Sequence, residues 1–169
     1  MKIGCVFPHS EIGDDMSMVK DFFQTAEDLG YDHVLCIDHV LCNKEAKGAP
    51  WAHYYTIKKT FHEPLTLFAY ASALTSRITF ASAVMVLPQR QAPLVAKQAA
   101  EVDILSGGRL RLGCGIGWSP EEYQGLGANF KTRARLFEEQ IDVMRKLWTE
   151  ETINYKGDFH QIEDMGINP

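Results

Sequence analysis

The chain has 169 residues, 46% of them hydrophobic, and a net charge of −5 at pH 7. That is enough apolar material for one domain with its own core, and the acidic balance argues against nucleic acid or an anionic membrane as partner. No apolar run reaches the roughly 18 residues that span a bilayer, and Met1-Lys2-Ile3-Gly4 enters a strand pattern without a signal-peptide signature, so the expectation is a cytoplasmic protein.

Strand and helix patterns alternate along the chain. Ile3, Cys5 and Phe7 open a strand that stops at Pro8, and Val19, Phe22, Phe23, Ala26 and Leu29 recur at helical spacing before Gly30. A second strand covers His33 to Ile37. Pro64 stands where a helix begins, with Leu67, Phe68, Ala71 and Leu74 on one face. The third strand, Ile78 to Leu87, is almost continuously apolar, as strands covered on both faces of a parallel sheet are. Pro93 opens a helix whose stripe is Leu94, Val95, Ala99, Val102 and Leu105, closed by Gly107-Gly108. Strand four is Leu110 to Cys114. Ser119-Pro120-Glu121-Glu122 forms a capping box, and Phe137, Ile141, Met144 and Trp148 mark the inner stripe of a last helix. Thr152 to Ile162 reads as a short hairpin or an irregular excursion around Lys156-Gly157-Asp158. Four consecutive βα units imply an α/β fold on a parallel sheet, either doubly wound or curled into a barrel.

Either architecture gathers ligands at the carboxyl ends of its strands. Those ends carry Phe7-Pro8-His9, Asp38-His39, Ala83-Val84 and Gly115-Ile116-Gly117. Together they supply apolar walls, two imidazoles, one carboxylate and a glycine floor. Asp38-His39 is the sharpest polar pair, because an imidazole moves protons near neutral pH and a carboxylate tunes its charge; the plainer alternative is a strand-end Asp capping a loop beside a hydrogen-bonded His. Gly113 to Gly117 departs from G-x-G-x-x-G and follows the fourth strand, which weakens a dinucleotide reading; glycines for tight strand-to-helix packing alone are the other alternative. Arg109 and Arg111 flank the opposite strand end and read as structural. The run Trp51, His53, Tyr54, Tyr55 is either a lid or ordinary loop packing. His53, His62 and His160 lack metal-ligand spacing, so no metal is expected. Cys5, Cys36, Cys42 and Cys114 show no CxxC spacing and read as reduced, buried thiols.

The joint set Ile3-Gly4-Cys5-Val6-Phe7-Pro8, Ala26 to His33, Asp38-His39, Glu63-Pro64 and Arg90-Gln91-Ala92-Pro93 resembles the luciferase-like monooxygenase superfamily. So do Ala96-Lys97-Gln98, Leu105 to Leu110, Gly113-x-Gly115-x-Gly117-Trp118, Arg133, Glu138 and Lys156-Gly157. Within it, Asp38-His39 points to the deazaflavin-dependent branch, which uses coenzyme F-420. The resemblance implies a TIM-type (β/α)8 barrel with a flavin-like ring across the strand ends. It places a strand-three bulge, often with a non-proline cis peptide, at Ala83-Val84. It implies Asp38 and His39 as catalytic residues, and Phe7, Ala83, Val84, Gly115, Ile116, Gly117 and Trp118 as cofactor contacts. The reaction implied is hydride transfer between a small organic substrate and F-420, with an FMN-dependent monooxygenase as the alternative. Some sugar-phosphate-oxidising relatives carry a glutamate where this chain has Trp118, so their acid is missing here.

A full barrel needs about 250 residues, so the expectation is a single amino-terminal part of one, residues 1–169, with about four βα units and the phosphate-binding corner absent. Open edges on strands one and four follow from that. The chain then reads as part of a longer enzyme, as a homo-oligomer whose copies close a ring, or as a non-catalytic binding or assembly module.

Overall fold

The structure is a computed structural model and describes residues 1–48 and 50–169. Ala49 lies outside the described residues. The chain divides into two compact units, residues 1–85 with 102–114 and residues 86–101 with 115–169.

The first unit holds a parallel sheet of four strands, β1 (Gly4–Val6), β2 (His33–Cys36), β3 (Thr79–Ser82) and β5 (Leu110–Arg111), in that order. The order is that of successive right-handed βα units, as the alternating pattern requires. Register aligns Cys5, Val34, Phe80 and Leu110 across the sheet. Alternation puts all four on one face. That face is the core: Val34 and Phe80 are fully buried, and Phe80 meets Phe68 and Phe23 at ring-centroid distances of 5.4 and 6.0 Å. Phe23 comes from α2 (Met16–Asp28), started by an Asp15 carboxylate that accepts the Ser17 amide at 2.9 Å. Phe68 comes from α3 (Pro64–Ser72), where Pro64 takes the first helical position and Glu63 accepts the Thr66 amide at 2.7 Å. A four-residue helix, α1 (His9–Ile12), follows β1 directly.

The opposite face carries Val6, Leu35, Ala81 and Arg111 in matching register. Val6 is 52% exposed and Leu35 half-buried. β1 and β5 are the sheet's two edges among the described residues, as the half-barrel expectation required.

The third strand is shorter than its apolar run suggests. β3 stops at Ser82, a cis peptide joins Ala83 to Val84, and β4 (Met85–Val86) resumes before a 3-10 turn over Leu87–Gln89. Ala83 and Val84 are exposed, so hydropathy alone misassigns them to a covered strand. Strand four is likewise split into β5 and β6 (Cys114–Gly115); β4 and β6 form a two-stranded sheet.

In α4 (Ala92–Ser106) the buried apolar residues are Ala92, Val95, Ala96, Ala99 and Val102, whereas Leu94 and Leu105 are more than half exposed. The stripe is one of small residues, and the two leucines fall outside it. The second unit continues with α5 (Pro120–Gly125) and α6 (Arg133–Thr149). Ser119 Oγ accepts the Glu122 amide at 3.2 Å, as the capping-box reading anticipated. In α6 the buried positions are Gln140, Val143, Met144 and Leu147. Of the expected stripe, only Met144 is fully buried: Trp148 is 42% exposed, because its indole N–H reaches the Ala96 carbonyl at 2.9 Å and holds the ring at the helix margin. The chain ends in an antiparallel hairpin of β7 (Ile153–Lys156) and β8 (Gln161–Met165), centred where Gly157-Asp158 placed it. No helix among the described residues is long and apolar enough to cross a membrane.

Candidate functional site

In the first unit the carboxyl ends of β1, β2 and β3 bring together Phe7, His9, Asp38, His39, Ala83 and Val84. The Phe7 amide donates to the Leu35 carbonyl and the Ala83 amide to the Cys36 carbonyl, both at 2.8 Å, so the three strand ends stand side by side. Ala83 and Val84 present exposed apolar side chains there.

A cleft of about 440 Å³ opens at these ends, within the range of small-molecule sites. Its walls include Val6, Phe7, His9 and Ile37 from the strand ends, with Tyr54, Tyr55 and Phe61 from the long segment before α3. Tyr54 and Tyr55 therefore do line a cavity, while Trp51, 52% exposed, is not among its lining residues. The His39 ring sits 4.6 Å from Tyr55 and 5.2 Å from Phe61, centroid to centroid. Asp38 is almost fully buried at 2% exposure, and neither it nor His39 is without a partner.

Phe7 plays a double part. Its ring is buried and stacks on Phe23 at 5.5 Å with Phe22 edge-on at 5.4 Å, on the core side of the sheet. Alternation from Cys5 dictates this.

Sequence reasoning placed His9 at the end of β1 without assigning it a role. It is only 4% exposed, and burial, with the nearby His62 adding to it, drives its pKa down to about 4. Beside it, burial raises the Cys36 thiol, and the negative Asp38 pushes it the same way. Cys114 is raised to about 11 by burial first and Asp38 second. None of the four cysteines is in a disulfide, and only Cys36 is fully buried; Cys5, Cys42 and Cys114 are half-buried.

The glycine loop divides between packing and exposure. A Cβ on Gly113 would stand 2.2 Å from the Ser82 carbonyl oxygen. Gly117, at φ +60°, would put one 2.6 Å from the Val86 Cγ1. Protein atoms therefore account for both glycines. Within the second unit, Tyr123 is buried and its hydroxyl donates to the Ile116 carbonyl at 2.7 Å, fixing the loop while the Ile116 side chain stays 36% exposed. Gly115 ends β6, and Trp118 is half-buried with a partner. No group of three metal-ligating side chains occurs among the described residues.

Arg109 is structural in full. Its guanidinium donates to the carbonyls of Ser72, Thr75, Ile78 and Ser106 and to Thr75 Oγ1, and lies 5.1 Å from the Phe80 ring centroid.

The family profile of the luciferase-like monooxygenases matches residues 1–169. The chain belongs to this family. Among curated relatives, it is 32% identical over 155 residues to the pyrimidine monooxygenase RutA of Allorhizobium ampelinum, covering 89% of this chain and 40% of that protein. It is 33% identical over 151 residues to the F420-dependent glucose-6-phosphate dehydrogenase of Intrasporangium calvum, covering 84% and 41%. The monooxygenase RslO1 of Streptomyces bottropensis superposes with a TM-score of 0.82 at 23% identity, over all of this chain and 49% of that one. The oxygenating constituent of 3,6-diketocamphane monooxygenase from Pseudomonas putida, solved with FMN, gives 0.75 at 22% identity, over 95% and 42%. The fold is that of the luciferase-like TIM barrels, of which this chain covers about half. Both cofactor branches occur among the relatives.

Proposed function

We propose that the chain carries the amino-terminal part of an oxidoreductase site that works with coenzyme F-420, transferring hydride to or from a small organic substrate. The observation that carries this reading is the His39 ring, held by Tyr55 and Phe61 at the carboxyl end of β2 close to an aromatic cleft. A tricyclic ring is flat and apolar on its faces, and the exposed Ala83 and Val84 side chains offer a surface of that kind beside the end of β2. When bound, F-420 supplies a carbon that accepts or gives hydride.

The protein's own residues do the rest. In the first unit Ala83, Val84 and the Phe7 backbone would hold the cofactor, and in the second unit the loop Gly115, Ile116, Gly117, Trp118 keeps the cofactor-contact role that the family resemblance implies. Tyr54, Tyr55 and Phe61 exclude water from the substrate side. His39 Nδ1 or Nε2 takes or returns the substrate proton, with Asp38 orienting the ring. The same surfaces suit FMN, and a monooxygenase would use them to shelter oxygen chemistry from water; the pair Asp38-His39 favours the deazaflavin. Phosphate binding, and with it full activity, falls to chain beyond these four βα units or to a second copy, in a cytoplasmic homo-oligomer.

Fluorescence titration of the 169-residue chain with F-420, and with FMN in parallel, tests the reading. Saturable micromolar binding of F-420 supports it. Preference for FMN moves the protein to the monooxygenase branch, and binding of neither assigns the site to the longer assembly. Replacing His39 by Ala with no change in turnover of the whole enzyme removes His39 from the proton-handling role.

A further inference from the structure

His9 makes contacts that a buried filler would not need. The His62 backbone N–H can only donate, so its 3.0 Å bond to His9 Nδ1 makes that nitrogen an acceptor without a proton. The proton of the neutral ring then sits on Nε2, 3.4 Å from Cys36 Sγ on β2. The thiol can pass its own hydrogen to the Ile37 carbonyl at 3.6 Å. His62 is fixed in turn, because its Nε2 lies 2.7 Å from the Gly13 carbonyl, which can only accept. Residue 61 is thereby tied at its carboxyl side to both ends of α1 and, through His9 and Cys36, to β2. The Phe61 ring stands 5.5 Å from His9 on one side and 5.2 Å from His39 on the other.

We propose that His9, held as its neutral Nε2–H tautomer, is a positioning residue that sets the place of Phe61 and through it the orientation of the His39 ring. The proposal rests on the His39 reading only for its catalytic meaning; the coupling itself is a property of the fold. Protonation would put a hydrogen on Nδ1 against the His62 amide, replacing an attraction by a clash of donors. The groups facing His9 are Glu11 on its own helix, Cys36 from β2, His39 from the turn after β2, and His62 from the segment before α3. Glu11 favours protonation, while burial, His62 and His39 oppose it, and burial is the largest influence.

Long-range ¹H–¹⁵N spectra of the 169-residue chain test this. The expected pattern for His9 is an unprotonated Nδ1 and a protonated Nε2 that does not change between pH 8 and pH 5. His9→Leu, which has no acceptor for the His62 amide, should move the His39 ring resonances. His9→Asn, whose side-chain oxygen can stand in for Nδ1, should restore much of the native position. Should His9→Leu not fold, Phe61→Leu carries the same expectation for His39 while leaving the His9 tautomer intact. A His9 ring that titrates near 6.5 overturns the proposal, as does a folded His9→Leu or Phe61→Leu protein with unaltered His39 signals. In the whole enzyme, His9→Leu should lower kcat more than it raises KM. If His39→Ala proves silent in turnover, the catalytic role of His39 fails while the spectroscopic coupling stands.

Discussion

Ser82 and Gly113 meet backbone to backbone. The Ser82 hydroxyl donates to the Gly113 carbonyl at 2.9 Å, and a Cβ on Gly113 would be 2.2 Å from the Ser82 carbonyl oxygen. Neither partner of that clash is a flexible side-chain end, so the strands must part to admit a methyl group. Gly113→Ala should cost about 1–3 kcal/mol or more in urea unfolding. Ser82→Ala, which removes one partly buried hydrogen bond, should cost about 1 kcal/mol. A Gly113→Ala protein as stable as the parent would show that the two strand ends part at little cost.

Arg109 gathers four carbonyls and one hydroxyl from the turn between α3 and β3 and from the end of α4. Lysine has one nitrogen and cannot span that set. Arg109→Lys should therefore recover only part of the loss seen in Arg109→Ala, itself about 3 kcal/mol on the scale of a severed hydrogen-bond hub. Equal stabilities of the two variants would mean that the aliphatic stem, not the fork, carries the effect.

Glu27 holds the other side of the same turn. Burial alone would raise its pKa, but the Ser76, Ile78 and Arg77 amides and the Ser76 hydroxyl all donate to the carboxylate and bring it down to about 2. A depressed carboxylate binds fewer protons folded than unfolded, so its contribution is present above pH 4.5 and fades as the pH falls towards 2. His9 acts in a higher window: its lowered pKa means that stability falls as pH drops from about 6.5 to about 4, where only the unfolded chain gains a proton. Unfolding curves at stepped pH should show two regions of loss. Glu27→Gln should flatten the lower one and His9→Asn the upper.

The thiols give a direct check on the first unit. With Cys36 and Cys114 raised in pKa by burial and by Asp38, neither forms thiolate at pH 8 to a useful extent. Alkylation at pH 8 in native buffer should leave both unmodified, and unfolding in urea should expose them. Rapid native labelling of Cys36 would mean that the end of β2 opens readily.

Periodicity made most of this fold legible, because parallel strands and amphipathic helices write their burial into the spacing of apolar residues. It failed where burial did not follow hydropathy. Trp148 sits at a helix margin with its indole N–H on the Ala96 carbonyl, and Ala83 and Val84, both apolar, are exposed beyond the end of β3. In the candidate site, Asp38-His39 and the strand-end residues could be named from their position after each strand. The roles of His9 and Phe61 could not, since they depend on a pairing across 53 residues between an amide and a ring nitrogen. Gly113 and Gly117 are visible as a pattern, but the close approach of Ser82 and Val86 that requires them comes from residues about 30 positions away in the chain.

Glu139 on α6 explains why the terminal hairpin lies where it does. Its carboxylate accepts the amides of Asp158, Phe159 and His160 at 2.6–3.0 Å and stands 2.8 Å from His160 Nδ1. Burial works against the charge, yet the His160 side chain and these amides together hold Glu139 below the usual glutamate range. A Cβ on Gly157 would come within 2.4 Å of the same carboxylate. The turn is thus moulded around one anion, as backbone nests are. Glu139→Gln keeps the shape but offers one acceptor oxygen in place of two, so amide exchange in β7 and β8 should quicken while the β1–β3 sheet stays protected. Because the stabilised form is the carboxylate, acidification through its lowered pKa should mimic the substitution. If exchange in the hairpin is indifferent to both, the β7–β8 ladder and not Glu139 holds this segment.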